Sequence, residues 1–77
     1  MVPEIDLHGL TVEEALSKVE AELNHAFIQE GEARRLRFIT GWGSRLRPEV
    51  RNYLLDHPLV RELSIYGPTI SVDLEEL

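Results

Sequence analysis

The sequence predicts an α/β domain of element order β-α-β-α-β-β: a two-layer sandwich of one mixed four-stranded sheet and two helices. Three observations point there. Four short segments alternate apolar with polar residues or carry β-branched and aromatic ones. Two longer segments repeat apolar residues at spacings of three and four. The helical segments fall between strands, which builds parallel crossovers, and a closing pair of strands joined by a tight turn adds an antiparallel edge.

Each element has its own justification. Residues 4–8 form a first strand by alternation, with Ile5 and Leu7 against Asp6 and His8. Residues 11–31 form a helix whose stripe is Val12, Ala15, Leu16, Val19, Leu23, Ala26 and Phe27. Thr11 stands where an N-cap belongs, Glu14 three residues on completes a capping box, and Gly31 is a C-terminal stop. That stripe is the core face of the helix rather than a docking surface for a partner. Residues 35–40, RLRFIT, form a second strand, and Gly41-Trp42-Gly43-Ser44 a turn. A second helix covers about 46–56, with Pro48 in its first turn and Leu46, Val50, Tyr53 and Leu54 as its stripe. Asp56-His57-Pro58 ends it, because a residue before proline is pushed out of the helical region. Residues 60–66 and 69–74 are the closing strands around Gly67-Pro68. Both helices are expected on one face of the sheet.

Composition bounds the rest. Seventy-seven residues make one domain, 1–77, and 43% hydrophobic against 29% charged residues lets it fold. The chain has no cysteine, which excludes a disulfide framework and a thiolate zinc site and fits a reducing compartment. No apolar run approaches the ~20 residues that span a bilayer, and MVPEID lacks the layout of a signal peptide. A cytoplasmic protein with no membrane association is the expectation. The net charge of −6 is unevenly spread. Residues 1–33 carry one base and eight acids; 34–61 carry seven arginines and two acids; 62–77 carry four acids and no base. A basic middle of this kind is either an anion-binding face or a set of internal ion pairs. Arginine's planar fork suits phosphate better than lysine does.

Ligands of open α/β sheets bind beyond the carboxyl ends of the parallel strands. Those ends are the two most distinctive segments, Asp6-Leu7-His8-Gly9-Leu10-Thr11 and Ile39-Thr40-Gly41-Trp42-Gly43-Ser44, so both fall on one sheet edge. Gly41 and Gly43 allow a sharp turn that aims N–H groups outward at the start of a helix. Ser44, Arg45 and Arg47 follow, which makes the loop a candidate phosphate cradle. Trp42, the one tryptophan, either stacks on a nucleobase or folds over the neighbouring helix. Asp6 and His8 are either a general base with its orienting partner, two donors for a divalent metal, or structural residues of the strand end; no third ligand is evident. His25 and His57 have no partner at a telling spacing and are read as structural. Nucleophile elbow, P-loop and paired catalytic carboxylates are missing from the sequence.

The segments IDLHGLTVEEAL and ITGWGSRLRPEVRNYLLDHPLV together resemble the small MutS-related (Smr) domain over about residues 4–74. DLHG, TGWG, LR and HP occur in the family's order and spacing, and that combination is far more specific than any one motif. The resemblance implies a fold similar to the C-terminal domain of translation initiation factor three. It implies binding to DNA or RNA, often with endonuclease activity, in domains that stand alone or sit on MutS-like ATPases. Docking on a ribosome or a larger ATPase is the alternative role. Carried over, Asp6 and His8 match the positions linked to cleavage, Gly41 and Gly43 the glycine loop, and Leu46 and Arg47 the L-R after it. Three features depart from the family pattern. Thr40 replaces the histidine that often precedes the first loop glycine, the loop has one glycine fewer, and the closing hairpin lacks a glycine-rich loop. The resemblance therefore carries binding further than catalysis.

Overall fold

Alternation along the strands explains why the molecule has two layers. A computed structural model of the chain describes residues 2–28, 35–42 and 45–75. Its elements are β1 (Glu4–Asp6), α1 (Val12–Ile28), β2 (Arg35–Ile39), α2 (Leu46–Leu55), β3 (Val60–Tyr66) and β4 (Thr69–Leu74). Every second strand residue faces one side: Ile5, Leu36, Phe38, Ile70, Val72 and Leu74 are buried there. Ala15, Val19 and Leu23 of α1 and Leu46, Val50 and Leu54 of α2 join them in a single core. Both helices thus lie on one face, as expected. Each fully buried Val, Leu, Ile or Phe in this layer stabilises the fold by roughly 1.5–3 kcal/mol.

The sheet order is β1-β2-β4-β3. β1 runs parallel to β2, with Glu4 opposite Arg37 and Asp6 opposite Ile39. β4 is antiparallel to both of its neighbours, β2 and β3. The closing hairpin is therefore the antiparallel addition that the sequence predicts, but it enters with β4 inside and β3 at the edge. Burial decides this. Ile70, Val72 and Leu74 of β4 are fully buried. β3 keeps Arg61, Glu62 and Ser64 exposed and carries an irregularity between Val60 and Glu62, which suits an edge.

Element ends differ from the sequence reading for local reasons. β1 stops at Asp6 although Leu7 still donates its N–H to Ile39 (2.8 Å), because a turn from Leu7 to Leu10 takes over. β2 stops at Ile39 because Thr40 turns to the β3–β4 connection. The capping box forms: Glu14 N–H donates to Thr11 Oγ1 (3.1 Å) and Thr11 N–H donates to Glu14 Oε1 (3.0 Å). α1 is described to Ile28, so the expected stop at Gly31 lies outside the described residues.

The helices are clasped by a group that sequence spacing does not reveal. Glu20 Oε1 on α1 accepts from the Tyr53 hydroxyl on α2 and lies 2.7 Å from His57 Nε2. Asn24 Nδ2 donates to the other oxygen at 2.9 Å. Leu59 N–H donates to His57 Nδ1 at 3.1 Å. That bond makes Nδ1 the acceptor of a neutral ring, so Nε2 carries the hydrogen directed at Glu20. The bond from Tyr53, with those from His57 and Asn24, holds the Glu20 carboxyl below its ordinary range. Burial and the adjacent carboxylate push the Tyr53 phenol up to about 12. His57 is thus structural, as expected, and its partner is Glu20.

Candidate nucleic-acid interface

The two strand ends meet as the topology requires. Asp6 closes β1, and its Oδ1 accepts the His8 backbone N–H at 3.0 Å in a local turn just beyond the sheet. His8 Nδ1 stands 3.7 Å from the same oxygen, and both side chains are exposed. Across the gap, a Cβ placed on Gly41 would lie 3.6 Å from the Cβ of His8. Gly41 also has φ +80°, a conformation open to glycine at little cost. The DLHG and TGW segments therefore face each other closely at His8 and Gly41.

Thr40, grouped with the loop in the sequence reading, is buried at 3% exposure. Its N–H and the Gly41 N–H both donate to Pro68 O, at 2.8 and 3.2 Å. The Thr40 hydroxyl lies 3.1 Å from the same carbonyl. Its observed role is to tie β2 to the β3–β4 turn. Gly43 and Ser44 lie outside the described residues.

Trp42 does not fold over the helix stripe. It is 73% exposed. The edge of its ring rests on Gly67, where an added Cβ would come within 2.9 Å of it. Arg47 Nη1 donates to Gly67 O at 2.9 Å, and the Arg47 guanidinium carbon is 6.0 Å from the Trp42 ring centre. Gly67 and Pro68 are thus parts of this edge that the sequence reading left out. Both serve through the backbone, one by having no side chain and one by its carbonyl, so neither carried a signal of chemistry.

Electrostatics separate the two helix starts on this edge. The first turn of α1 holds Glu13 and Glu14, and Glu14 is spent on its own cap. Ahead of α2, Arg45 already has helical backbone angles and makes no side-chain cap bond. The positive end of the α2 dipole thus has Arg45 and Arg47 beside it. Neither arginine has a carboxylate partner among the described residues, whereas Arg35 pairs with Asp73 (2.7 Å) and Arg37 with Glu4 (3.5 Å). These four arginines of the basic middle therefore divide into ion pairs on the sheet and, at α2, charge with no carboxylate partner among the described residues.

Asp6 and His8 offer one carboxylate and one imidazole. Such a pair fits a divalent cation that takes its other ligands from water and phosphate. Among the described residues no cluster of three or more His, Asp or Glu side chains could hold a metal by itself. Among the same residues no helix is long and apolar enough to cross a membrane.

Comparison with known proteins agrees with this geometry. The chain is 40% identical over 67 residues to a protein of Thermomicrobium roseum named Endonuclease MutS2. The match covers 86% of this chain and 8% of that much longer protein. A family model described as Smr domain matches residues 5–68, a span that runs from the DLHG strand through the TGW loop and the HP helix end to the hairpin tip at Pro68. With that match added to the β-α-β-α-β-β order and the meeting of its two signature loops, the chain belongs to the Smr domain family.

Proposed function

We propose that this Smr domain binds nucleic acid through the sheet edge formed by Gly41, Trp42, Arg45 and Arg47, with Asp6 and His8 alongside. One observation carries the reading: at the start of α2 Arg45 makes no side-chain cap bond, and no described carboxylate neutralises Arg45 or Arg47. A phosphodiester is the anion that would use helix-start N–H groups and planar guanidinium forks together. Thr40, bound to Pro68, supports the loop from behind. Gly43 and Ser44 remain part of the proposed cradle by their place in the sequence.

The test is anisotropy titration of labelled RNA and DNA with the protein and with the Arg45→Ala/Arg47→Ala variant. Loss of about tenfold or more in affinity is expected. Equal binding by the double variant would remove the loop from the interface.

A second reading, endonuclease activity, draws on the Asp6–His8 contact beside Gly41 and on the name of the Thermomicrobium relative. In it, Asp6 orients the imidazole, His8 moves a proton, and Arg47 with the loop amides stabilises charge on phosphorus. Thr40 has no part in the proton transfer, because its hydroxyl is buried against a carbonyl. Cleavage of labelled strands that disappears in Asp6→Ala and His8→Ala, with binding retained, is the expected result. Cleavage unchanged in both variants would dismiss the assignment.

A further inference from the structure

We infer that the free edge of β3 is a docking site for an acidic, extended peptide segment of a partner protein, which adds to the four-stranded sheet as a further strand beside α2. The site is separate from the nucleic-acid edge and shares with it Arg47 alone.

The edge is open where it is regular. β3 lies outermost in the order β1-β2-β4-β3 and pairs with β4. Edge strands present a row of unpaired N–H and C=O groups, which proteins guard with charges, prolines and bulges. Here the guards stand at the start of the strand: Arg61, Glu62 and the irregularity between Val60 and Glu62. From Glu62 to Tyr66 the register is unbroken, and Leu63-Ser64-Ile65-Tyr66 carries neither charge nor proline. Gly67 and Pro68 make a two-residue turn, so Tyr66 and Thr69 are a hydrogen-bonded pair, and alternation makes Ser64 and Ser71 the next. Leu63 and Ile65 therefore turn their N–H and C=O groups outward. Among the described residues no turn or loop backbone group bonds to them.

The flank beside this edge is apolar and basic. Ile65 is 43% exposed, on the helix side of the sheet in register with buried Ile70. α2 packs against β3, and Arg47 reaches the hairpin tip through its bond to Gly67 O. Arg51 and Leu55 follow Arg47 at steps of four, so they continue the same flank of the helix along β3. Leu55 is exposed at its end. Among the described residues no carboxylate pairs with Arg47, Arg51 or Arg61. Arg51 donates to the neutral side chain of Asn52.

One kind of partner satisfies all of this. Outward N–H and C=O groups need acceptors and donors in alternation, which another strand supplies. A phosphate accepts but does not donate, and it gains nothing from Ile65 or Leu55. A second copy would pair β3 with β3 about a two-fold axis, which sets the arginine row of α2 beside its own equivalent. An incoming strand with glutamate or aspartate among apolar residues on its helix side meets arginine with carboxylate and Ile65 with hydrocarbon. Charge complementarity thus selects the acidic segment.

NMR titration of the isotope-labelled protein tests the site. One probe is the blocked peptide Glu-Thr-Val-Thr-Val-Thr-Glu, which puts glutamate and valine on one face; the other carries lysine for glutamate. Expected are saturable shifts along residues 63–66. At saturation, amide exchange at Leu63 and Ile65 should slow about tenfold or more, while Ser64, already bonded to β4, changes little. The lysine peptide should bind about tenfold or more weaker. Arg51→Glu/Arg61→Glu changes two exposed residues, leaves the core intact, and should reverse that preference. Ile65→Thr should weaken the acidic peptide by roughly three- to tenfold through lost apolar contact. Equal binding of the two peptides, or no saturable shift along β3, overturns the site. So does slowed exchange at Leu63 and Ile65 that follows protein concentration alone, which gives the edge to a second copy. An RNA strand that shifts these residues where the acidic peptide does not also overturns it, and gives the flank to nucleic acid.

Discussion

Replacing Glu20 by alanine tests how the two helices are held together. Glu20 accepts from Tyr53, His57 and Asn24 at once. The three donors do not suffer equally from its loss. Asn24 is exposed and turns to water, and Tyr53 is half-buried and partly does so. The His57 side chain is only 9% exposed, and the bond from Leu59 to Nδ1 fixes its ring. Its Nε2–H is left without a partner, which costs about 1–3 kcal/mol. The carboxylate is 42% exposed, so solvent screening trims the rest. About 2 kcal/mol is expected in all, or a fall in Tm of roughly 8–16 °C for a domain of this size. Urea denaturation at pH 7 measures it. The same variant has a pH signature. The folded state lowers the Glu20 pKa from its ordinary 4.5, so its stabilisation is complete above that value and fades as pH falls through the lower one. Glu20→Ala should therefore lose less stability than the parent on acidification below about pH 4.5. A midpoint within about 0.5 kcal/mol of the parent, with the same acid profile, would refute the clasp.

Two further perturbations separate the parts of the scaffold. Tyr53→Phe should remove the Tyr53 part of the stability loss in the alkaline range: burial and Glu20 push the folded phenol up to about 12, so its stabilisation is whole below pH 10 and lost as pH rises to about 12. Thermal melts across pH 9–12 read this out. Thr40→Val should cost only about 1 kcal/mol, because Pro68 O keeps the two backbone donors when the hydroxyl goes. Chemical denaturation measures that, and the variant's affinity for nucleic acid should stay near the parent's, since Thr40 is buried behind the loop.

What the sequence could reveal followed local period; what it hid came from distant chain. Alternation and helical spacing are properties of neighbours, so all six elements were legible, as was the Thr11–Glu14 box. The sharing of one edge by the DLHG and TGW segments was legible too, because parallel strands put their carboxyl ends on one edge. The place of β4 was not. A hairpin can join a sheet by either strand, and the choice depends on the summed burial of Ile70, Val72 and Leu74 against elements far away in sequence. The basic middle was half legible: Arg35 and Arg37 find Asp73 and Glu4, which come from the two acidic ends of the chain. Glu20 and His57 lie 37 residues apart, and no motif spacing joins them. Gly67 and Pro68 act through backbone atoms, which a sequence reading by side-chain chemistry passes over.

Charge distribution also limits how many phosphates this domain can hold, and the salt response exposes the number. The chain carries −6 overall. At an ionic strength of 0.15 M, fields fade over about 8 Å, so the acidic body repels a strand only where it lies close. α1 offers no attraction, its start being filled by Glu14. Arg35 and Arg37 of the sheet offer none, being paired. At the loop edge Arg45 and Arg47 remain. Each phosphate neutralised on a single strand contributes about −0.7 to the slope of log affinity against log salt, so two contacts give about −1.4. Arg45→Ala/Arg47→Ala should bring that slope close to zero. A parent slope near −3 or steeper would require four or more contacts, which this edge alone does not supply. It would shift the phosphate path along α2 towards Arg51 and the β3 edge at Arg61, away from the hairpin tip.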